Sequence, residues 1–199
     1  MQFSLNHTLF SKSLSYTLRH GAMAENIPIR SDGYILLSNL RLHKKYSHKT
    51  LADFQTLVEN DKKSRYNLSI QDGEWMIRAN QGHSINVTIE MKQLFLYELL
   101  NIVHGTFTKN IAGIIQNGLS RMSRIHIHFS NGGSSGFREN SQAFVYIDVE
   151  LAIKDGMLFY SSENGVVLTQ GFNGIIPVQY LLNIFDKDGS MIWSRDDHH

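Results

Sequence analysis

Cysteine is absent from this 199-residue chain. Disulfides, thiolate nucleophiles and zinc ribbons are excluded with it. Proline is almost absent: Pro28 and Pro177 are the only two, so loops are expected to be softer than a proline-rich chain would allow. No apolar run approaches the roughly 18 residues of a membrane span. Residues 1–30 lack the basic, apolar, small order of a secretory signal. A cytoplasmic protein is expected on these grounds. The sequence also has no His-Glu-x-x-His, no Walker lysine motif, no G-x-G-x-x-G and no evident Ser-His-Asp set or carboxylate pair. No metal site and no standard nucleotide motif is expected.

What is present describes a globular chain, 42% apolar and 19% charged. The length suffices for one large or two small domains with real cores. A net charge of +1 conceals an asymmetry. Residues 1–90 carry 11 Lys and Arg against 8 Asp and Glu, and residues 91–199 carry 8 against 10. The first half therefore leans toward an anionic partner. Between them lies Arg78-Ala79-Asn80-Gln81-Gly82-His83-Ser84, a polar stretch flanked by Trp75-Met76-Ile77 and Ile85-Asn86-Val87. It reads as the hinge of a two-lobed protein.

Leu9, Leu14 and Leu18 recur at helical spacing, predicting a helix over 5–21 that stops at Gly21, with Arg19-His20 in its last turn. Ser38–Leu42 reads as a short helix, and Thr50 as the N-cap of another over 51–60. Arg65–Ile70 and Glu74–Arg78 form a β-hairpin around Asp72-Gly73. Helices followed by a hairpin suggest a winged-helix module. Residues 91–101 read as an apolar helix or an extended linker. Strands are expected at Val103–Thr106, Ile125–Phe129, Ala143–Val149, Leu158–Tyr160, Val166–Thr169 and Gly174–Ile176, with a helix over Ile111–Gly118. Many short strands with few helices give an α+β chain whose second half is a mixed or antiparallel sheet.

Three constellations carry chemistry. His126 and His128 fall on one face of a predicted strand, where ligand contacts or plain surface outweigh a metal site. Ser130–Arg138 is a glycine- and serine-rich loop, readable as a linker or as a phosphate cradle. Lys62-Lys63-Ser64-Arg65-Tyr66 is a basic cluster, readable as a solvated turn or as phosphate capture by arginine's planar fork.

Taken in order, Leu18-Arg19-His20, Lys63-Ser64-Arg65-Tyr66, Ile77–Ser84, His104-Gly105-Thr106, Arg124–Phe129 and Ser135-Gly136-Phe137-Arg138 resemble the motifs of RNA 2′-phosphotransferases. Phe159–Val166 extends the resemblance, which covers about residues 10–185. Each motif alone is weak, but six in order are specific. Tyr66 stands where the family usually has phenylalanine, and Phe137 where it has methionine. The proline-rich run expected near the C-terminus is reduced to Pro177.

The resemblance implies a winged-helix RNA lobe at 1–90 and an ADP-ribosyltransferase-like NAD+ lobe at 91–195. It implies that an internal RNA 2′-phosphate, such as one at a tRNA splice junction, is transferred to NAD+. NAD+ would be consumed as co-substrate and no metal used, by a monomer that needs no membrane. The family's catalytic set falls on Arg19, His20, Arg65 and Arg138. RNA contacts are expected from Lys63, Arg78, Gln81 and His83. NAD+ contacts are expected from His104, Gly105, Thr106, Gly118, Leu119, Ser135 and Gly136, and from His126 or His128. ADP-ribosylation of a terminal nucleic-acid phosphate, or RNA binding without catalysis, are the rival readings.

Overall fold

The structure is a computed structural model that describes residues 2–99, 101–132 and 140–198. The chain divides into two compact units, residues 1–90 and 91–199, each with its own core. The architecture mixes helices with antiparallel sheets.

In the first unit, α1 (Gln2–Tyr16) passes directly into a π-helical turn, Thr17–Gly21. A helix period of 3.6 places Phe10, Leu14 and Leu18 on the buried face, and leaves Leu9 exposed. The helix ends at Gly21 as expected, but not through a left-handed glycine. Ala22 keeps right-handed angles (φ −51°, ψ −48°) and its N–H reaches Thr17 O at 2.9 Å. Gly21 answers a different need, because a Cβ there would lie 2.6 Å from the Tyr16 ring. After a turn at Gly33 come β1 (Ile35–Leu36), α2 (Leu37–Leu42) and α3 (Leu51–Glu59). Thr50 caps α3 through a capping box with Asp53. β2 (Tyr66–Gln71) and β3 (Glu74–Ala79) pair around Asp72 and Gly73, both at positive φ, and β3 is the middle strand of the three. Tyr66 Oη bonds Ser15 Oγ at 2.6 Å and Ser11 O at 2.8 Å. The hydroxyl that distinguishes Tyr66 from phenylalanine thus ties β2 to α1.

In the second unit, β4 (Lys92–Leu94) leads to β5 (Ile102–Thr106), α4 (Ile111–Asn117), β6 (Leu119–Ser120) and β7 (Ile127–Asn131). β8 (Ala143–Ile147), α5 (Val149–Lys154), β9 (Phe159–Ser161), β10 (Val167–Thr169) and β11 (Ile175–Ile176) follow. β12 (Leu181–Asp186) and β13 (Met191–Ser194) complete it. Eight strands form one sheet in the order β13-β12-β8-β5-β7-β10-β9-β4, with every neighbouring pair antiparallel. Its core includes Phe129, Phe159, Val145, Leu181 and Ile184.

Several local readings are corrected. Residues 92–94 are an edge strand, held by pairing with β9, in place of a helix or linker. Val149 starts a helix because Asp148 caps it, accepting from Leu151 N at 3.0 Å. Ile125 and His126 precede the strand. β10, its partner, ends at Thr169 opposite Ile127, and Gly171 (φ +62°) turns the chain away. The stretch 78–84 lies within the first unit, whose boundary falls after Glu90. Arg195–His198 forms a 3₁₀ turn.

Candidate functional site

The π turn inserts an extra residue at the end of the first helix, a device frequent at functional sites. It carries Arg19 and His20. The segment after β3 then folds back over them. Ser84 N donates to Arg19 O at 2.9 Å, and Ser84 Oγ lies 2.8 Å from His20 Nδ1. Gly82 takes φ +87°, and a Cβ added there would be 3.5 Å from the Arg19 side chain. His83, 4% exposed, packs near Gly33 in the same fold-back.

Four residues earlier, the same segment reaches the other predicted cation. Asn80 N donates to Arg65 O at 2.8 Å, and Asn80 Nδ2 donates to Ser64 O at 2.8 Å. Arg65 is fixed again from below. Its backbone N–H meets Asp61 Oδ2 at 2.5 Å and its guanidinium pairs with Asp61 Oδ1. The Asp61 side chain is only 4% exposed. Arg19, His20 and Arg65 are therefore all tied to residues 80–84, which act as a strap across the unit. Lys63 N points to the same Asp61 carboxylate at 3.4 Å. Gln81 is half-buried within the strap. Arg78 lies further along, its guanidinium carbon 4.7 Å from the Tyr34 ring centre. Tyr34 is anchored in turn by its hydroxyl on Asn67 Oδ1 at 2.9 Å.

In the second unit, β5 and β7 pair only at Ile102 with Asn131 and at Val103 with Ser130. From His104 onward β5 pairs with β8 alone, while β7 continues with β10. The two strands separate there. The His104 ring bridges the opening, with Nδ1 2.8 Å from His128 O. A carbonyl only accepts, so Nδ1 carries the proton and the neutral ring keeps Nε2 as an acceptor. Burial pushes the His104 pKa below the ordinary histidine value; the His128 carbonyl opposes the shift and Arg124 adds to it. The ring is thereby held neutral near pH 7.

Gly105 and Thr106 follow on β5; Thr106 Oγ1 accepts from Asn110 Nδ2 at 3.1 Å and is buried. Leu119 is a core residue, so only its backbone is presented. Gly118, at φ +84°, is obligatory because a Cβ would lie 2.4 Å from Ile176 O. His128 sits on β7 with 6% exposure, whereas His126 is half-buried in the bend before it. Burial and the nearby Arg121 lower the His126 pKa. Next to His126, Ile125 and Arg121 line an open cavity of about 720 Å³ with Gln170, Gly171, Phe172, Asn173 and Gly174. Ser135, Gly136 and Arg138 lie outside the described residues.

The sequence reading overlooked Asp61, whose only signal was an acid four residues before Arg65. It also gave Ser84 no partner. Among the described residues no group of three His, Asp or Glu is placed to hold a metal, and no helix is long and apolar enough to cross a membrane.

Most of the chain is similar to known proteins. A family model described as "RNA 2′-phosphotransferase, Tpt1 / KptA family" matches residues 6–171. A Mus musculus protein named tRNA 2′-phosphotransferase 1 is 42% identical over 174 residues, 81% of this chain and 69% of that one. A Saccharomyces cerevisiae tRNA 2′-phosphotransferase is 33% identical over 196 residues, 89% and 83% of the two chains. A Schizosaccharomyces pombe relative is 37% identical over 191 residues, and the match covers 92% of this chain but only 52%, about half, of that one.

Proposed function

The chain belongs to the RNA 2′-phosphotransferase family, and on that footing we propose that it transfers an internal RNA 2′-phosphate to NAD+. The substrate is an RNA with a 2′-phosphate beside its splice or ligation junction, tRNA being the first candidate from the names of its relatives. The first unit acts as a winged-helix RNA lobe, and the second as an ADP-ribosyltransferase-like NAD+ lobe.

The observation that carries this reading is the strap Asn80–Ser84, which is bonded at one end to Arg65 and at the other to Arg19 and His20. A phosphate dianion needs cations held in advance, because reorganising them during reaction would raise the barrier. Arginine grips phosphate without competing for its proton. Arg19 and Arg65 hold the 2′-phosphate, and Lys63, Arg78, Gln81 and His83 support it or its flanking backbone. The resemblance assigns Arg138 to the same catalytic set.

Two displacements follow. A 2′-phosphate oxygen attacks C1″ of the nicotinamide ribose, and the C1″–N bond breaks with its electron pair leaving on nicotinamide. The ribose O2″ then attacks phosphorus, and the bond from phosphorus to the RNA O2′ breaks. The proton leaves O2″ and ends on O2′, giving a 2′-OH RNA and ADP-ribose 1″,2″-cyclic phosphate. His20, held at Nδ1 by Ser84, is placed to move that proton through Nε2. The cations that held the ground-state phosphate stabilise the charge on its oxygens in the second step.

For NAD+, the opening between β5 and β7 and the acceptor Nε2 of His104 support a ribose hydroxyl contact. The backbone of Gly105 is offered to the nicotinamide amide. Thr106, Gly118 and Leu119 shape the same region, with Ser135 and Gly136 assigned from the resemblance. Of the two histidines left open above, His126 is preferred, since it is half-buried and follows Ile125 of the cavity lining, whereas His128 is only 6% exposed.

The test is incubation of an RNA bearing one internal 2′-phosphate with the protein, with and without NAD+. Loss of the phosphate from the RNA only when NAD+ is present supports the reading. RNA left intact in both arms overturns it, as does ADP-ribose appearing on a terminal phosphate in place of 2′-phosphate removal.

A further inference from the structure

Beside the catalytic histidine lies a surface that the reaction described above does not use. Tyr16, the last residue of α1, is 53% exposed and its ring centre is 5.9 Å from that of His20. The missing side chain of Gly21 leaves the ring its place. Lys45 Nζ stands 5.8 Å from the ring centre. Lys45 belongs to a basic turn, and no acid occurs between Asp32 and Asp53, while Arg41, Lys44, Lys45 and Lys49 all do. Lys44 and Lys45 are exposed and Lys49 is half-exposed, its ammonium 4.7 Å from the Phe10 ring centre.

The turn is anchored from beneath. Tyr46, 1% exposed, bonds Thr17 Oγ1 at 2.7 Å and Ser13 Oγ at 3.2 Å. Thr17 donates its own proton to Glu25 at 2.7 Å, so Tyr46 donates to Thr17. Glu25 also receives Lys45 at 2.5 Å. The positive turn is thereby fixed against the helix that carries Tyr16, Arg19 and His20. Its charge is not spent internally, because Glu25 neutralises Lys45 alone among the turn's lysines.

We propose that Tyr16 and the Lys44–Lys49 turn form a subsite for the unpaired nucleotides that flank the 2′-phosphate. A base stacks on the exposed part of the Tyr16 ring, and the adjoining backbone phosphates run along Lys44 and Lys49. Stacking on an open ring tolerates any base, since every base has a π-face, and lysines on a flexible strand follow phosphates without reading sequence. The subsite secures RNA beside His20 whatever the junction's sequence. The inference rests on the phosphotransferase reading only for the identity of the RNA.

The experiment measures binding, so it does not depend on turnover. A labelled single-stranded hexaribonucleotide is titrated by fluorescence anisotropy over a salt series. It is used with and without an internal 2′-phosphate, and with an abasic ribose placed on either side of that position. The proteins are wild type, Tyr16→Ala, Tyr16→Phe and the double variant Lys44→Ala/Lys49→Ala. The double variant is expected to flatten the plot of log affinity against log salt by about 1.4, or ~0.7 per lost phosphate contact on a single strand. Tyr16→Ala is expected to weaken the intact RNA about tenfold, Tyr16→Phe to retain wild-type affinity, and one abasic RNA to erase the Tyr16→Ala effect. An unchanged salt slope overturns the phosphate track. An equal Tyr16→Ala loss on intact and abasic RNAs overturns the stacking role, since the residue would then act through its packing on Gly21 and His20. Wild-type removal of the 2′-phosphate alongside unaffected variants defeats this subsite alone. The expected binding pattern without phosphate removal upholds the subsite and defeats the phosphotransferase reading.

Discussion

His104 donates a hydrogen bond from Nδ1 to the carbonyl of His128, 2.8 Å away, across the point where β5 and β7 stop pairing. A side chain thus spans a gap in the ladder and fixes its own tautomer in doing so. His104→Ala should weaken NAD+ binding on the order of 10-fold, about the value of one lost hydrogen bond to a buried partner. RNA binding should be unchanged. Calorimetric titration of NAD+ against wild type and variant checks this, and equal affinities would remove His104 from the NAD+ site.

The same histidine predicts a pH dependence. Its folded pKa is depressed below the ordinary 6.5 by burial. The unfolded chain therefore takes up the proton first as pH falls. The stability it contributes is complete above 6.5 and is lost as pH drops from there through the folded value. Urea midpoints should fall across that window in wild type and less steeply in His104→Gln. His126, shifted in the same direction, adds to the wild-type slope.

Ser84 touches His20 through a hydroxyl that is otherwise exposed. Ser84→Ala should leave stability within about 0.5 kcal/mol, as for surface changes generally. The imidazole loses this hydrogen bond at Nδ1, so kcat should drop several-fold with little change in KM. Ser84→Thr should restore most of the rate. A variant with wild-type kcat would show that the contact does not position His20.

What could be read in advance was mostly local. The Asp72-Gly73 turn, the Thr50 cap and the Gly118 stop each depend on one or two residues, and the structure has all three. Strand β12 depends on β8, distant in sequence, and β13 on β12 in turn, and LLNIFD does not alternate cleanly, so both were missed. The extent of β7 was set by where β10 ends, which no pattern within Ile125–Phe129 reveals. At the site, residue types and motif order singled out Arg19, His20 and Arg65. The strap that links them, and Asp61 beneath Arg65, required the fold.

Asp61 accepts from both the backbone and the guanidinium of Arg65 while almost fully buried. Asp61→Ala strands two donors, one of them charged, and should destabilise the first unit by about 1–3 kcal/mol. It should also raise KM for the 2′-phosphorylated RNA, because Arg65 loses its fixed direction. Denaturant melts with steady-state kinetics separate the two effects. A variant with wild-type stability and KM would show the pair to be idle.

Gly118 was assigned to the NAD+ set, yet its geometry is a folding requirement. A Cβ would lie 2.4 Å from the Ile176 carbonyl at φ +84°. Gly118→Ala should cost about 2 kcal/mol or more in stability. Whatever fraction remains folded should bind NAD+ with near-normal affinity. Normal stability with lost NAD+ binding would reverse that assignment.

The central claim, that the 2′-phosphate is passed to NAD+, is tested most directly by following where the phosphate goes. Mass spectrometry of the small molecules after reaction with NAD+ and a 2′-phosphorylated RNA should find nicotinamide and ADP-ribose 1″,2″-cyclic phosphate, each equimolar with the 2′-OH RNA formed. Inorganic phosphate released without nicotinamide would contradict it.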